Sequence, residues 1–257
     1  MTKAILTVEG LSKRFSSATR EIVALQNIAF TVSQGEFLGI TGPSGCGKST
    51  LARCILRLIE PDDGKIWIDG RDWLQLSPRK LRHSRRDIQM VFQNSSQSFN
   101  RFATVQEVIT EPLRIHSIVA QPQYLAHSAD LLERVGLSAE LLPRHVASLS
   151  GGQRQRVAIA RAIASRPKLL ILDEAVSALD MIAKQKILEL LASLQKDMGL
   201  SALFIAHDFA AIKALCHRTA IMDAGQIIEE GITSQLIAQP QAQLTRSLLQ
   251  AVPSLNI

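Results

Sequence analysis

The apolar positions along this chain keep two rhythms. Short, nearly unbroken runs at 37–41, 88–92, 169–172 and 202–206 read as strands covered on both faces, the habit of a parallel sheet. Residues 5–9, 28–32 and 220–223 are further short strands, the last turning through Ala224-Gly225 into Gln226-Ile227-Ile228. Pro61-Asp62-Asp63-Gly64 followed by Ile66-Trp67-Ile68-Asp69-Gly70 has the turn chemistry and alternation of a hairpin. Helical spacing appears after residue 50, at 104–115, 122–135, 152–164 and about 181–197, and in a helical tail over 233–251 that ends near Pro253. Ser77-Pro78 opens another helix, with Ser at the N-cap and Pro at N1. The alternation of strand and helix makes this an α/β chain. The helices between 94 and 165 interrupt it and mark an inserted helical subdomain.

Chemistry gathers where the buried strands end. Gly42-Pro43-Ser44-Gly45-Cys46-Gly47-Lys48-Ser49-Thr50 fits G-x-x-x-x-G-K-[ST] and lies between a strand and a helix. Its glycines let the backbone turn N–H groups inward at phosphate oxygens, and the helix N-terminus adds its positive end. Lys48 is suited to the β- and γ-phosphates and Ser49 to Mg²⁺. Three further strands end in Gln93, in Asp173-Glu174 and in His207, on one edge if the sheet is parallel. Asp173 is placed to hold Mg²⁺ directly or through water, and Glu174 to polarise an attacking water. Gln93 can ligate the metal or position that water, and His207 can hydrogen-bond the departing γ-phosphate.

Two stretches stand apart from that edge. Leu149-Ser150-Gly151-Gly152-Gln153 opens the helix at 152–164 with Ser150 as N-cap and free N–H groups behind it, a second anion site. One chain has little use for two γ-phosphate sites, so the pattern suggests a dimer in which each helix end reaches the other subunit's nucleotide. Phe15, flanked by polar residues, is either a base-stacking ring or a core Phe at a strand end.

Composition narrows the classes. At 257 residues, 46% hydrophobic and 20% charged, the chain can bury a large core as one domain or a core plus subdomain. No apolar stretch approaches the roughly 18 to 20 residues that span a bilayer, and no signal-peptide core precedes Glu9 and Lys13-Arg14, so a cytoplasmic protein is expected. Cys46, Cys54 and Cys216 form no metal-ligand cluster; they read as packed thiols, Cys46 being the one open to alkylation. The formal charge of +6 is densest over 79–86. That run is first a solvated helix face and second a contact for anionic lipid or an acidic loop; with 4% aromatics, nucleic acid is disfavoured.

Taken together, these motifs resemble the ATP-binding subunit of an ABC transporter over essentially the whole chain. In family order come the A-loop position Phe15, Walker A (Gly42–Thr50), the Q-loop with Gln93, and the signature Leu149–Gln153. Walker B with its glutamate (Leu169–Glu174), the D-loop Ser177-Ala178-Leu179-Asp180 and the switch His207 follow. The resemblance implies a P-loop NTPase core over 1–93 and 166–257: a parallel sheet flanked by helices, with an N-terminal antiparallel β subdomain. A helical subdomain over 94–165 would carry the signature. It implies ATP and Mg²⁺ as cofactors, with nucleotide held by Phe15, Gly42, Ser44, Gly45, Cys46, Gly47, Lys48, Ser49 and Thr50. Ser150, Gly151, Gly152, Gln153 and Asp180 would serve across a head-to-tail dimer. Glu174, His207 and Gln93 would be catalytic, and Ser49, Gln93 and Asp173 would hold the metal.

Residues 86–93 and 245–253 are similar to the peptide/nickel importer branch. There the chain would pair with a paralogous ATPase beneath two permease subunits, fed indirectly by an extracytoplasmic substrate-binding protein. It would sit peripherally on the cytoplasmic face of the inner membrane. Ala175, where the branch often has Pro, tilts the cargo towards nickel, with di- or oligopeptides as the alternative. Asn100-Arg101-Phe102 and Ser148 depart from the branch pattern and bear on partner choice. No cysteine-rich C-terminal extension is present, so no iron–sulfur cluster is expected. A soluble ABC ATPase acting on nucleic acid or ribosomes is the reading from another class.

Overall fold

The computed structural model describes residues 3–16, 21–92, 99–100 and 102–251. Its centre is a six-stranded sheet in the order β10-β9-β3-β8-β7-β6. The strands are β3 (Phe37–Thr41), β6 (Ile88–Val91), β7 (Leu169–Asp173), β8 (Ser201–Ile205), β9 (Arg218–Asp223) and β10 (Gln226–Ile232). The first five pair in parallel, and β10 returns antiparallel along β9. Every residue of β3, β7 and β8 is buried, which is why their sequences are apolar without alternation.

Alternate residues on these strands feed two cores. Leu169, Ile171, Leu203 and Ile205 face helix α1 (Lys48–Ile55) and a second, antiparallel sheet in the order β2-β1-β4-β5. Leu170, Leu172, Ala202 and Phe204 face α3 (Val105–Ile115), α4 (Tyr124–Arg134), α5 (Gly151–Ile163) and α6 (Met181–Met198). The result is an α/β P-loop NTPase fold with a helical subdomain packed against one sheet face.

The second sheet differs from the sequence reading. β1 (Ala4–Ser16) and β2 (Glu21–Ser33) are each 13 residues long, well beyond 5–9 and 28–32. Register shifts let the pair continue past the positive-φ residues Gly10 and Asn27. The expected hairpin also moves. β4 (Asp63–Ile68) pairs antiparallel with β1, and the tight turn is Asp69-Gly70, with φ of 49° and 76°, leading to β5 (Arg71–Asp72).

Helix α2 (Pro78–Ser84) starts after Ser77 with Pro at its first position, then tightens into a 3₁₀ turn at Arg85–Asp87. The tail is broken, not continuous. α8 (Thr233–Ala238) and α9 (Gln243–Gln250) flank Pro240, whose missing N–H cannot extend a helix. Pro253 lies outside the described residues. Among those described, no helix is long and apolar enough to cross a membrane.

Candidate functional site

Because β3, β8 and β7 are parallel neighbours, their carboxyl ends open on one edge. From β3 the chain runs through Gly42–Gly47 into α1. A Cβ on Gly42 would lie 2.0 Å from the Met222 carbonyl oxygen, and one on Gly47 would lie 2.3 Å from that of Ala24. Both positions also have positive φ, 151° and 108°, so the loop closes only with glycine there. The Gly225 N–H donates to the Cys46 carbonyl at 3.0 Å and braces the loop from the β9–β10 turn. Gly47 caps α1 without a side-chain hydrogen bond, leaving the first-turn N–H groups to an anion.

Lys48, only 5% exposed, folds back into this loop. Its Nζ donates to the carbonyls of Gly42 (2.9 Å) and Pro43 (2.8 Å) and approaches the Cys46 sulfur at 3.6 Å. Cys46 itself is buried, which argues against the ready alkylation expected of it.

The next residue, Ser49, donates its hydroxyl to Asp173 Oδ1 at 3.3 Å. Asp173 ends β7 and is 7% exposed; burial pushes its carboxyl above the ordinary range, against the pull of Ser49. A buried carboxylate beside a hydroxyl, next to a phosphate cradle, is a hard oxygen donor set that fits Mg²⁺.

Glu174 follows in the left-handed region, at φ 50°. Its N–H donates to the Ile205 carbonyl at 2.9 Å, and its own carbonyl accepts from the Ser177 hydroxyl at 2.9 Å. Pinned this way, its carboxylate contacts His207 Nε2, which arrives from the end of β8.

A cavity of about 470 Å³ gathers these groups. Ser44, Gly45, Gly47, Lys48, Ser49 and Thr50 line it from the loop and the start of α1, together with Glu174 and His207. Phe15, with Ile22 and Val23 from the paired strand, forms an apolar wall. Phe15 is 39% exposed, so it is no core residue, and the Lys13 ammonium sits 5.6 Å from its ring centroid. Ile22 and Val23 were not singled out from the sequence. Their signal is positional, since they matter only once β2 is paired beside Phe15. Gly42 and Cys46 belong to the loop but do not line the cavity, and Asp173 meets it only through Ser49.

Other candidates fall elsewhere. Ser150 caps α5 in a reciprocal box: its hydroxyl accepts from Gln153 N–H, while Gln153 Oε1 accepts from Ser150 N–H at 2.9 Å. Ser150, Gly151, Gly152 and Gln153 line no part of the cavity, nor does Asp180, whose carboxylate caps α6 through the Ala183 N–H at 2.8 Å. Gln93 lies outside the described residues, two positions past the end of β6.

An apolar wall, a glycine-rich loop with a buried lysine, and a carboxylate–imidazole pair are groups suited to a nucleoside triphosphate and the attack of water upon it. Comparison with known proteins agrees. Residues 25–177 match the family model described as ABC transporter. The chain is 42% identical to a probable peptide ABC transporter ATP-binding protein, y4tS, of Sinorhizobium fredii, over 98% of this chain and 74% of that one. It is 44% identical to the glutathione import ATP-binding protein GsiA of Escherichia coli, over 97% of this chain but 41% of that protein, so it spans less than half of this relative. The dimeric ATP-binding cassette MJ0796, in a post-hydrolysis state bound to ADP and Pi, superposes with a TM-score of 0.81 at 29% identity, over 89% of this chain and 98% of that one. The chain belongs to the ABC transporter family, as one of its ATP-hydrolysing cassettes.

Proposed function

We propose that this chain is the ATP-hydrolysing subunit of a peptide importer, taking short peptides of the di-, tri- or oligopeptide class. The observation that carries the catalytic part is the grouping of Lys48, Ser49, Glu174 and His207 around one cavity. The relatives named for peptide and glutathione import support the cargo class. They favour peptide over the nickel tilt drawn from Ala175.

In this reading Phe15, Ile22 and Val23 face the base. The loop N–H groups and Lys48 hold the phosphates. Ser49 and Asp173, with Gln93, hold Mg²⁺, which when bound supplies positive charge against the phosphate oxygens. Glu174 orients and polarises water, and His207 hydrogen-bonds the γ-phosphate. The free N–H groups after Ser150, together with Asp180, serve the nucleotide of a second cassette facing head-to-tail. That second cassette is a paralogue. Residues 94–165 act as an arm on the core of 1–93 and 166–257, docking against permease subunits at the cytoplasmic face of the inner membrane. A substrate-binding protein delivers cargo from the other side.

The test is uptake of a radiolabelled dipeptide, and of glutathione, by the source cells carrying either the intact chain or Lys48→Ala. Peptide uptake should vanish in the variant and be indifferent to excess nickel. Nickel uptake that vanishes instead, with peptide uptake intact, would overturn the cargo reading.

A further inference from the structure

Lys184 and Asp208 form an ion pair that joins the first turn of α6 to the residue after His207, a link no sequence pattern shows. Lys184 lies in the first turn of α6, and its N–H donates to the Asp180 carbonyl at 2.9 Å. Asp208 directly follows His207 and caps α7 (Phe209–Leu215), accepting from the Ala210 N–H at 2.7 Å. One carboxylate oxygen therefore holds α7 while the other is held by α6. Both side chains are largely covered, at 25% and 35% exposure. Burial draws the Lys184 ammonium below its ordinary range.

The far side of that turn meets the signature stretch. A Cβ on Gly152 would come 3.3 Å from Cβ of Ala183, the neighbour of Lys184, and one on Gly151 would come 3.8 Å from Leu179. Gly152 thus lies close to Ala183, whose neighbour Lys184 pairs with Asp208, and the residue before Asp208, His207, contacts Glu174.

We infer that Lys184 is a positioning residue for His207: by fixing Asp208, it sets the imidazole according to the place of α6 and of the signature segment packed on it. The inference rests on the γ-phosphate role of His207 proposed above. Lys184 touches no part of the cavity, so its loss should act on turnover and leave nucleotide affinity alone.

The test uses the full chain purified together with its partner cassette. Lys184→Met should lower kcat for ATP hydrolysis roughly tenfold with KM for ATP within about twofold, and Lys184→Arg should restore it. In a cycle with Asp208→Asn the two losses should be non-additive. The His207 imidazole resonances should move in Lys184→Met and return in Lys184→Arg. A kcat within twofold of the parent, resonances that stay in place, or kcat and KM failing together would each overturn the inference. His207→Ala, run alongside, separates the two claims. If it loses turnover while Lys184→Met does not, the positioning role fails alone. If it turns over normally, the reading of His207 falls and takes the positioning role with it.

Discussion

Ser49 and Asp173 are separated by 124 residues and joined by one hydrogen bond of 3.3 Å. That bond ties the start of α1 to the end of β7, so the phosphate loop and the acidic strand end are held in one frame. Removing either oxygen should weaken the response to Mg²⁺ more than it weakens nucleotide binding itself. Ser49→Ala and Asp173→Asn are each expected to reduce Mg²⁺-dependent tightening of ATP binding roughly ten- to hundredfold. ATP titrations with and without chelator check this. Tightening equal to that of the parent would remove both residues from the metal site.

Glu174 is fixed on both backbone sides, through Ile205 and Ser177, and its carboxylate meets His207. An amide in its place keeps the shape and loses the basicity. Glu174→Gln should bind ATP like the parent, lower phosphate release by roughly 10² to 10⁴, and accumulate an ATP-dependent dimer with the partner cassette on size exclusion. Normal hydrolysis by this variant would show that another group accepts the proton.

The loop glycines are not equivalent. Gly45 has φ 81° but nothing within 4 Å of a would-be Cβ, whereas at Gly47 that atom lies 2.3 Å from a backbone oxygen. Gly45→Ala should therefore cost only about 1–2 kcal/mol of stability, visible as a lower unfolding midpoint, and weaken ATP binding without abolishing it. Gly47→Ala must displace the chain at Ala24 or the loop itself, and ATP binding should be lost. Equal affinities for the two variants would mean that the loop relaxes freely around position 47.

Much of this site was legible because its determinants are local. The loop motif reads along one stretch, and β3, β7 and β8 announce burial on both faces by being apolar throughout. Ser150 shows its cap by the Gln three residues on. What escaped depends on pairing. The length of β1 and β2 comes from register shifts that no alternation encodes. Ile22 and Val23 become a wall only opposite Phe15, and Lys184 and Asp208 look like ordinary surface charges until α6 and α7 meet. The break at Pro240 was readable in principle, but apolar spacing on both sides masked it.

Asp69 allows a prediction on stability rather than catalysis. It sits in the β4–β5 turn and accepts from Lys168 at 2.6 Å and from Lys3 at 2.5 Å. Lys168 first, and Lys3 second, draw its carboxyl from 3.8 down to about 2. With the folded-state pKa lowered, the unfolded chain binds more protons between those values, so this group's stabilisation is complete above the ordinary pKa and is lost as the pH falls towards 2. Lys168→Met should thus destabilise the chain by about 1 kcal/mol near neutral pH, allowing for solvent screening and for the surviving Lys3. The gap between variant and parent in urea-unfolding free energy should narrow as the solution is acidified through that interval. A gap of constant size across the acid range would mean that Lys168 stabilises the fold by packing of its methylenes, not by its hold on Asp69.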